Sequence, residues 1–153
     1  MMRLSCAEFK SGRRFVGRLP HAKDLITFIE KFCRDASIQM AGFFVVGSVS
    51  SATFGSYDQK QLVYVTTTEE TDLDILACTG NISMQNGTPV AEAHIVLGDK
   101  QGNITGGRLF SETIIFAGEI DLQELIGKPL ERVYDDTTGL MLWSENTDLD
   151  CPK

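Results

Sequence analysis

The side chains best suited to chemistry lie in one short stretch of the sequence, EAHIVLGDKQGNITGGRL, which spans residues 92–109. Glu92 and His94 are two residues apart, so on a β-strand both point to the same face, with Cα atoms roughly 6.6 Å apart. A carboxylate and an imidazole can bind zinc, whereas the guanidinium of Arg108, later in the stretch, binds anions. The combination therefore predicts a metal site, a site for an anionic ligand, or a structural cluster of charges.

A tight turn inside this stretch determines which side chains meet. Asp99 suits the first position of a type I turn, and Gly102 suits the left-handed residue that follows such a turn. The pattern predicts a three-residue hairpin loop in which Asp99 pairs with Asn103. Counting back along the two strands then places His94 opposite Arg108.

The same register places Glu92 opposite Phe110, so that Glu92, His94 and Arg108 share one face of the hairpin. We expect Arg108 to be a direct neighbour of His94 and to lie diagonally across from Glu92, whose carboxylate it can bind through two hydrogen bonds. A shift of one residue in the register would move Arg108 to the other face.

No pattern elsewhere in the sequence indicates catalysis. The serine-rich segment GSVSS, residues 47–51, lacks the G-x-S-x-G spacing of a nucleophile elbow. The acidic segment TTTEETDLD, residues 66–74, lacks the spacing and the turn glycine of a calcium-binding EF-hand. Because there is no phosphate-binding loop or cofactor fingerprint either, the sequence predicts a binding protein without enzymatic activity.

The overall charge argues against nucleic-acid partners, and the lack of a long apolar run argues against a membrane. The chain has 153 residues, a formal charge of −7 and a pI of about 4.8, so its surface should repel nucleic-acid phosphates. We therefore expect no direct DNA binding. No apolar run approaches the roughly 20 residues that span a bilayer, so no membrane association is expected either. The basic residues cluster in only one place, on a predicted strand: Lys10, Arg13, Arg14 and Arg18.

The sequence indicates a cytoplasmic protein made of one domain. Its N-terminal residues hold no apolar stretch of the kind that directs secretion. The four cysteines form no C-x-x-C pair, which favours reduced thiols over a disulfide framework. Residues 1–145 are predicted to form a single domain, and residues 146–153 have the acidic, polar composition of a disordered tail.

Hydrophobic patterning predicts a protein of the α+β class, with a mixed, mainly antiparallel sheet flanked by one long and one short helix. The long helix is predicted where apolar residues recur at helical spacing between residues 25 and 33. The short helix is predicted in the segment DLQELIG, residues 121–127. The apolar segment IQMAGFFVVGSVSSATF, residues 38–54, is typical of a strand covered on both faces.

Several segments resemble the plant-and-prokaryote-conserved (PPC) domain, a family of α/β proteins, in the right order along nearly the whole chain. They are GRL before the predicted helix, GSVSSATF, ACTGNI, EAHIVLGDKQGNITGGRL and AGEIDL. The chain is similar to bacterial members that consist of this domain alone and are often labelled DNA-binding proteins. The resemblance therefore implies a DNA-binding, transcription-associated protein as an alternative function. The resemblance implies assembly as a homotrimer.

The resemblance also bears on the metal site. Family members often read H-x-H, then a turn, then G-G-H, and these three histidines can hold a metal ion. Here Glu92 stands at the first histidine position, His94 keeps the second and Arg108 replaces the third. Arginine cannot coordinate zinc and repels a cation, so no cofactor is expected, although Glu92 and His94 remain a two-ligand alternative for zinc.

The resemblance therefore implies a degenerate metal site, in which the fixed charge of Arg108 replaces the charge of the metal. Arg108 and His94 would then bind a small anionic ligand, such as a carboxylate or a phosphate, or form a structural network with Glu92. Glu119, in AGEIDL, matches a position that is often glutamate in the family. It joins this site only if a β-bulge turns it to the same face. The R-G-R-P hook of DNA-binding plant members is absent.

Overall fold

The computed structural model describes residues 4–145. In this part of the chain, one helix and nine strands occur in the order β1 Lys10–Arg18, α1 Leu25–Asp35, β2 Ala41–Asp58, β3 Val63–Glu69, β4 Leu73–Gln85, β5 Thr88–Gly98, β6 Ile104–Leu109, β7 Ile114–Ile126, β8 Arg132–Asp135 and β9 Leu140–Trp143.

Seven of these strands form one antiparallel sheet in the order β1-β7-β2-β4-β5-β6, with β3 added along the second half of β2. The 18-residue strand β2 is long enough to pair with β4 and β7 near its start and with β3 and β6 near its end. Because β6 pairs with both β5 and β2, the strands β2, β4, β5 and β6 close on themselves. The remaining two strands, β8 and β9, form a separate hairpin.

Helix α1 packs against the enclosed face of this sheet through one apolar stripe. Leu25, Ile29 and Cys33 are fully buried and belong to the same core as the inward-facing residues of the sheet. The Asp24 side chain caps the helix by accepting a hydrogen bond from the Thr27 amide. The helix predicted from apolar spacing is therefore confirmed.

The predicted α+β class is wrong, because the described residues are mostly β-strand, with one helix of 11 residues and no second, shorter helix. The segment DLQELIG belongs instead to strand β7, where Leu122 pairs with Phe43 of β2. Leu122 and Glu124 are buried and alternate with more exposed neighbours, so pairing on both sides outweighs the helix propensity of leucine and glutamate. The ladders between the described strands are antiparallel, and the parallel contact between Met84 and Glu131 is an isolated bridge.

The outer face of the sheet is only partly covered. Phe44 and Val46 alternate with the buried Phe43 and Val45 along β2, and they are 49% and 44% exposed. Val96 on β5, which is 40% exposed, belongs to the same surface. The sequence predicts a strand covered on both faces, whereas the single chain covers one. We refer to Phe44, Val46 and Val96 as the outer apolar face.

Three further sequence predictions concern the thiols, the tail and the membrane. Cys33 and Cys78 are buried free thiols, as expected, whereas Cys6 is disulfide-bonded and contradicts the expectation of a reduced thiol. Burial raises the pKa of each free thiol to about 12. The predicted acidic tail, residues 146–153, lies outside the described residues. Between residues 4 and 145, the chain has no helix with the length and apolar character needed to cross a bilayer.

Candidate functional site

The hairpin of strands β5 and β6 has the register that its turn predicts. His94 pairs with Arg108, and the Asp99 amide donates a hydrogen bond to the Asn103 carbonyl across the loop. The Asp99 carboxylate accepts hydrogen bonds from the side chain and the amide of Asn103, and these lower the pKa of Asp99. Gly102 has a φ of 85°, the left-handed conformation expected of it. These interactions hold His94 and Arg108 as neighbours on one face.

Two glycines before Arg108 let strand β6 fit tightly between its neighbours. A Cβ atom on Gly106 would collide with the carbonyl oxygen of Ile95, and one on Gly107 would collide with the carbonyl oxygen of Gly55. A side chain at either position would therefore push β6 away from β5 or β2. The glycine pair thus allows β6, which carries Arg108, to lie close to both neighbouring strands.

Beyond Arg108 the strand leaves β5, so one part of the predicted register is wrong. The Phe110 amide donates to the Thr53 carbonyl on β2, and Phe110 does not pair with Glu92. The predicted pair of hydrogen bonds between Arg108 and Glu92 is also wrong, since Nη1 of Arg108 lies 3.9 Å from Oε1 of Glu92. This is an ion-pair distance that is too long for a hydrogen bond.

Arg108 instead contacts aromatic side chains. Its Nη1 atom donates a hydrogen bond of 2.8 Å to the Tyr64 hydroxyl. The guanidinium carbon lies 4.9 Å from the ring centre of Tyr64 and 5.5 Å from that of Phe110, which are favourable cation–π distances. Tyr57 extends this aromatic wall, because its ring centre is 4.8 Å from that of Tyr64. Neutral groups therefore hold the Arg108 side chain in place.

A second arginine, Arg132 at the start of strand β8, takes the partner predicted for Arg108. Its Nη1 atom lies 2.8 Å from the Glu92 carboxylate, and its Nη2 atom donates to the Asn81 side chain. Only 6% of the Arg132 side chain is exposed. Burial lowers the pKa of Arg132, the Glu92 carboxylate opposes this shift, and the charge of Arg108 adds to it. The two guanidinium groups therefore share one carboxylate.

Sequence reasoning did not identify Arg132, Tyr57 or Tyr64 as parts of this site. All three come from hairpins that are remote in sequence from the stretch EAHIVLGDKQGNITGGRL. Tyrosine at a strand position is typical of any sheet. The available signal was weak: an arginine at the start of a short predicted strand, in the segment ERVYDD.

These groups line one cavity of about 480 Å³ on the outer side of the sheet. Three units surround it: the β2–β3 hairpin, the strands β5 and β6, and the β8–β9 hairpin. Two arginines and one glutamate give its lining a net charge of +1, in a chain whose formal charge is −7. A cavity of this volume is large enough for a small organic molecule. The lining includes Leu62, Tyr64, Glu92, Arg108, Arg132 and Leu140.

The other two predicted site residues do not line this cavity. His94 is exposed on the outer face, beside Arg108. Glu119 is exposed on β7, between Arg18 of β1 and Val46 of β2. Three strand spacings, about 14 Å along the sheet, separate β7 from β5. Within one chain, the structure therefore brings Arg108 close to His94 and to Glu92, but it leaves Glu119 apart.

A family model for the Plants and Prokaryotes Conserved (PCC) domain matches residues 6–126, which is most of the chain. The chain belongs to this family. The name PPC is used for the same kind of protein, and the resemblance indicated by the sequence motifs is confirmed. No curated protein matches the chain significantly.

Solved structures from three organisms have the fold of this PPC domain. A metal-containing protein of Archaeoglobus fulgidus is 38% identical over 94% of this chain and 99% of its own, with a TM-score of 0.88. A PPC protein of Pyrococcus horikoshii is 30% identical over 93% of this chain and 98% of its own, with a TM-score of 0.87. A candidate DNA-binding protein of Ralstonia eutropha is 25% identical over 84% of this chain and 89% of its own, with a TM-score of 0.74.

The side chains of this PPC domain do not fit the metal ion that a three-histidine pattern would hold. Glu92 and His94 stand at two of the three positions, and Arg108 stands at the third. Arg132 competes for the Glu92 carboxylate, and a guanidinium on each side of that carboxylate repels a cation. Within residues 4–145, no three His, Cys, Asp or Glu side chains are grouped so that they could hold a metal.

Proposed function

We propose that this PPC domain is a non-enzymatic binding protein that assembles as a homotrimer and binds a small anion in the cavity beside Arg108. The observation that carries the proposal is the excess of positive charge in that cavity. Arg108, Arg132 and Glu92 are the charged residues of the lining. Of the two arginines, only Arg132 lies within hydrogen-bond distance of the Glu92 carboxylate. A bound anion would balance the charge that remains.

Arg108 is the group best placed to hold the anion. A quarter of its side chain is exposed, so a ligand can reach it from solvent. Arg132 is buried and is already held by Glu92 and Asn81, so its role would be to position Glu92. A guanidinium binds a carboxylate or a phosphate through two parallel N–H groups. His94, which is exposed at the edge of the site, would contact a ligand that extends beyond the cavity.

The family implies the homotrimer, and the outer apolar face supports it. Phe44, Val46 and Val96 are each at least 40% exposed in the single chain. Leaving such a surface in water is unfavourable, and exposed apolar patches commonly mark protein interfaces. A neighbouring copy that covered this face would lie beside His94 and would shield the anion site. A trimer could also bring Glu119 of one copy near the site of another.

A thermal-shift screen with inorganic phosphate, acetate and benzoate tests the anion site. We expect at least one of these anions to raise the melting temperature of the unmodified protein, because binding to the folded state stabilises it. Arg108→Met should abolish that shift. Arg14→Met should retain it, because Arg14 is exposed and is paired with Asp121 on a different part of the sheet. If no anion shifts the unmodified protein, the proposal is wrong.

Zinc binding by Glu92 and His94 is a second candidate function. The relative from Archaeoglobus fulgidus is described as metal-containing, which favours this candidate. We expect little zinc in protein purified without an affinity tag, because two ligands beside two guanidinium groups bind a cation weakly. Arg108→His should restore a three-ligand set and raise zinc affinity. Stoichiometric zinc in the unmodified protein, measured by elemental analysis, would make this candidate the better one.

We expect no direct binding to DNA, although the relative from Ralstonia eutropha is described as a candidate DNA-binding protein. In the cluster of basic residues on β1, Arg13 is paired with Glu124 and Arg14 with Asp121, so less charge is available to phosphates. A gel shift at low salt with micromolar affinity and a steep dependence on salt would contradict this expectation. We also propose a cytoplasmic location, which fractionation of cells would test.

A further inference from the structure

We infer that the cavity beside Arg108 binds a monocarboxylate that carries an aromatic or branched apolar body. This inference rests on the proposed function and narrows it from any small anion to one class of organic acid. It is based on three features of the cavity: the net positive charge of its lining, the hydrogen-bond donors of Arg108 and Tyr64, and the apolar side chains elsewhere in the lining.

The charges favour a ligand with one negative charge. Arg132 lies 2.8 Å from the Glu92 carboxylate, so these two groups largely neutralise each other, and Arg108, at 3.9 Å, is the surplus cation. A monoanion would make the lining neutral. A phosphate dianion would instead leave a net negative charge close to the Glu92 carboxylate, which is unfavourable. Monocarboxylic acids are monoanions at neutral pH.

Two neighbouring groups can donate hydrogen bonds to such a carboxylate. The Tyr64 hydroxyl accepts a hydrogen bond from Nη1 of Arg108, so its own hydrogen can be donated to a ligand. The guanidinium carries further N–H groups beside this hydroxyl. One carboxylate oxygen can therefore accept from Arg108 while the other accepts from Tyr64. The rings of Tyr64 and Phe110 hold the guanidinium in place for this contact.

Most of the remaining lining is apolar and incompletely covered. Leu62, in the turn between strands β2 and β3, is 41% exposed, and Val63, the first residue of β3, is 47% exposed. Leu140 and Met141 of strand β9 also line the cavity, and both are partly exposed. An apolar body attached to the carboxylate would cover these side chains and stack against Tyr57. Acetate or phosphate would leave most of the 480 Å³ filled by water.

Calorimetric titration of the full chain with 3-phenylpropionate tests the inference, with three matched probes. 3-Phenylpropanamide keeps the apolar body and removes the charge, acetate keeps the charge and removes the body, and inorganic phosphate replaces the carboxylate. We expect 3-phenylpropionate to bind at least tenfold more tightly than each of the three. Arg108→Met should lower its affinity at least tenfold, whereas Arg14→Met, which alters an exposed ion pair elsewhere, should leave it unchanged.

Each alternative result has a definite meaning. If acetate or phosphate binds as tightly as 3-phenylpropionate, the inference is overturned while the proposed anion site stands. If the amide binds as tightly as the acid, the inference is overturned because the charge is not recognised. If no anion binds, both are overturned. Should Arg108→Met fail to fold, as judged by circular dichroism, Arg108→Lys takes its place. That variant keeps the charge, loses the paired N–H groups, and should bind 3-phenylpropionate at least threefold more weakly.

Discussion

Arg108 and Arg132 both lie near the Glu92 carboxylate, yet their surroundings assign them different roles. Arg132 is buried and also donates hydrogen bonds to Asn81 of β4 and to the Met141 carbonyl of β9. It therefore connects the β8–β9 hairpin to the main sheet. Arg108 is more exposed and is positioned by aromatic rings, so its charge remains available to a ligand.

Replacing Arg132 should destabilise the protein. Arg132→Met leaves the Glu92 carboxylate and the Asn81 side chain without their partner in a half-buried site, and we expect the free energy of unfolding to fall by about 2 kcal/mol. Urea denaturation followed by circular dichroism measures this change. Arg14→Met, which breaks an exposed ion pair with Asp121, should have little effect. An unchanged urea midpoint for Arg132→Met would mean that the buried pair does not hold the hairpin.

The buried thiols of Cys33 and Cys78 should be unreactive in the folded protein. Burial raises the pKa of Cys33 and Cys78 from 9.0 to about 12, so at pH 8 about a thousandfold less thiolate is present than in the unfolded chain. We expect iodoacetamide to modify neither thiol until denaturant is added, as mapped by mass spectrometry. Because the folded state keeps these protons while the unfolded state loses them, stability should fall as the pH rises from about 9 towards 12. Rapid modification of either thiol in the native protein would contradict this prediction.

Single side chains also join one element to the next. The Asp24 carboxylate caps helix α1 through the Thr27 amide and also accepts hydrogen bonds from the amides of Glu112 and Thr113, which precede strand β7. It therefore links the start of the helix to the segment that follows β6.

Removing this link should loosen both elements. Asp24→Ala leaves three backbone amides without their acceptor, so we expect a loss of about 1–2 kcal/mol in the free energy of unfolding. Hydrogen exchange should become faster at the Thr27, Glu112 and Thr113 amides. Asp24→Asn keeps one acceptor oxygen and should cost less. If exchange at Glu112 and Thr113 is unaffected in Asp24→Ala, the side chain acts as a helix cap only.

In the whole molecule, the closed sheet places the cavity beside Arg108 next to the outer apolar face. Phe44, Thr79, His94 and Arg108 are consecutive cross-strand partners along β2, β4, β5 and β6. The row runs from an exposed aromatic side chain to the charged side chain of the cavity. A copy seated on the outer apolar face would therefore lie beside the cavity, and assembly and ligand binding would influence each other.

If the protein assembles as the proposed homotrimer, a charge placed on the outer apolar face should disrupt it. Phe44→Glu should convert a trimer to monomers in size-exclusion chromatography with light scattering, because an interface does not tolerate an unpaired buried carboxylate. Val65→Glu is the matched control. Val65, on strand β3, is 62% exposed. It pairs with Ser56, whereas Arg108 pairs with the preceding residue, Gly55. Since neighbouring residues of a strand point to opposite faces, Val65 lies on the face opposite Arg108. A stable monomer of the unmodified protein at micromolar concentration would exclude the trimer.

The sequence by itself determined the features that depend on neighbours in the chain. Asp99 and Gly102 encode the turn, and the turn sets the pairing of His94 with Arg108. The apolar spacing that places Leu25 and Ile29 on one stripe encodes helix α1. The motifs around these elements were also sufficient to indicate the family. In each case the residues that decide the structure are close enough in sequence to form a recognisable pattern.

Only the tertiary structure decided the features that depend on distant partners. DLQELIG has the helix propensity of its leucines and glutamate, but pairing with β1 and β2 makes it a strand. The β8–β9 hairpin brings Arg132 within 2.8 Å of Glu92, whereas Arg108 lies 3.9 Å from it. A carboxylate pairs with whichever guanidinium the packing brings nearest, and no local pattern encodes that distance. For the same reason, the sequence showed which charges were present but not which of them would pair closely.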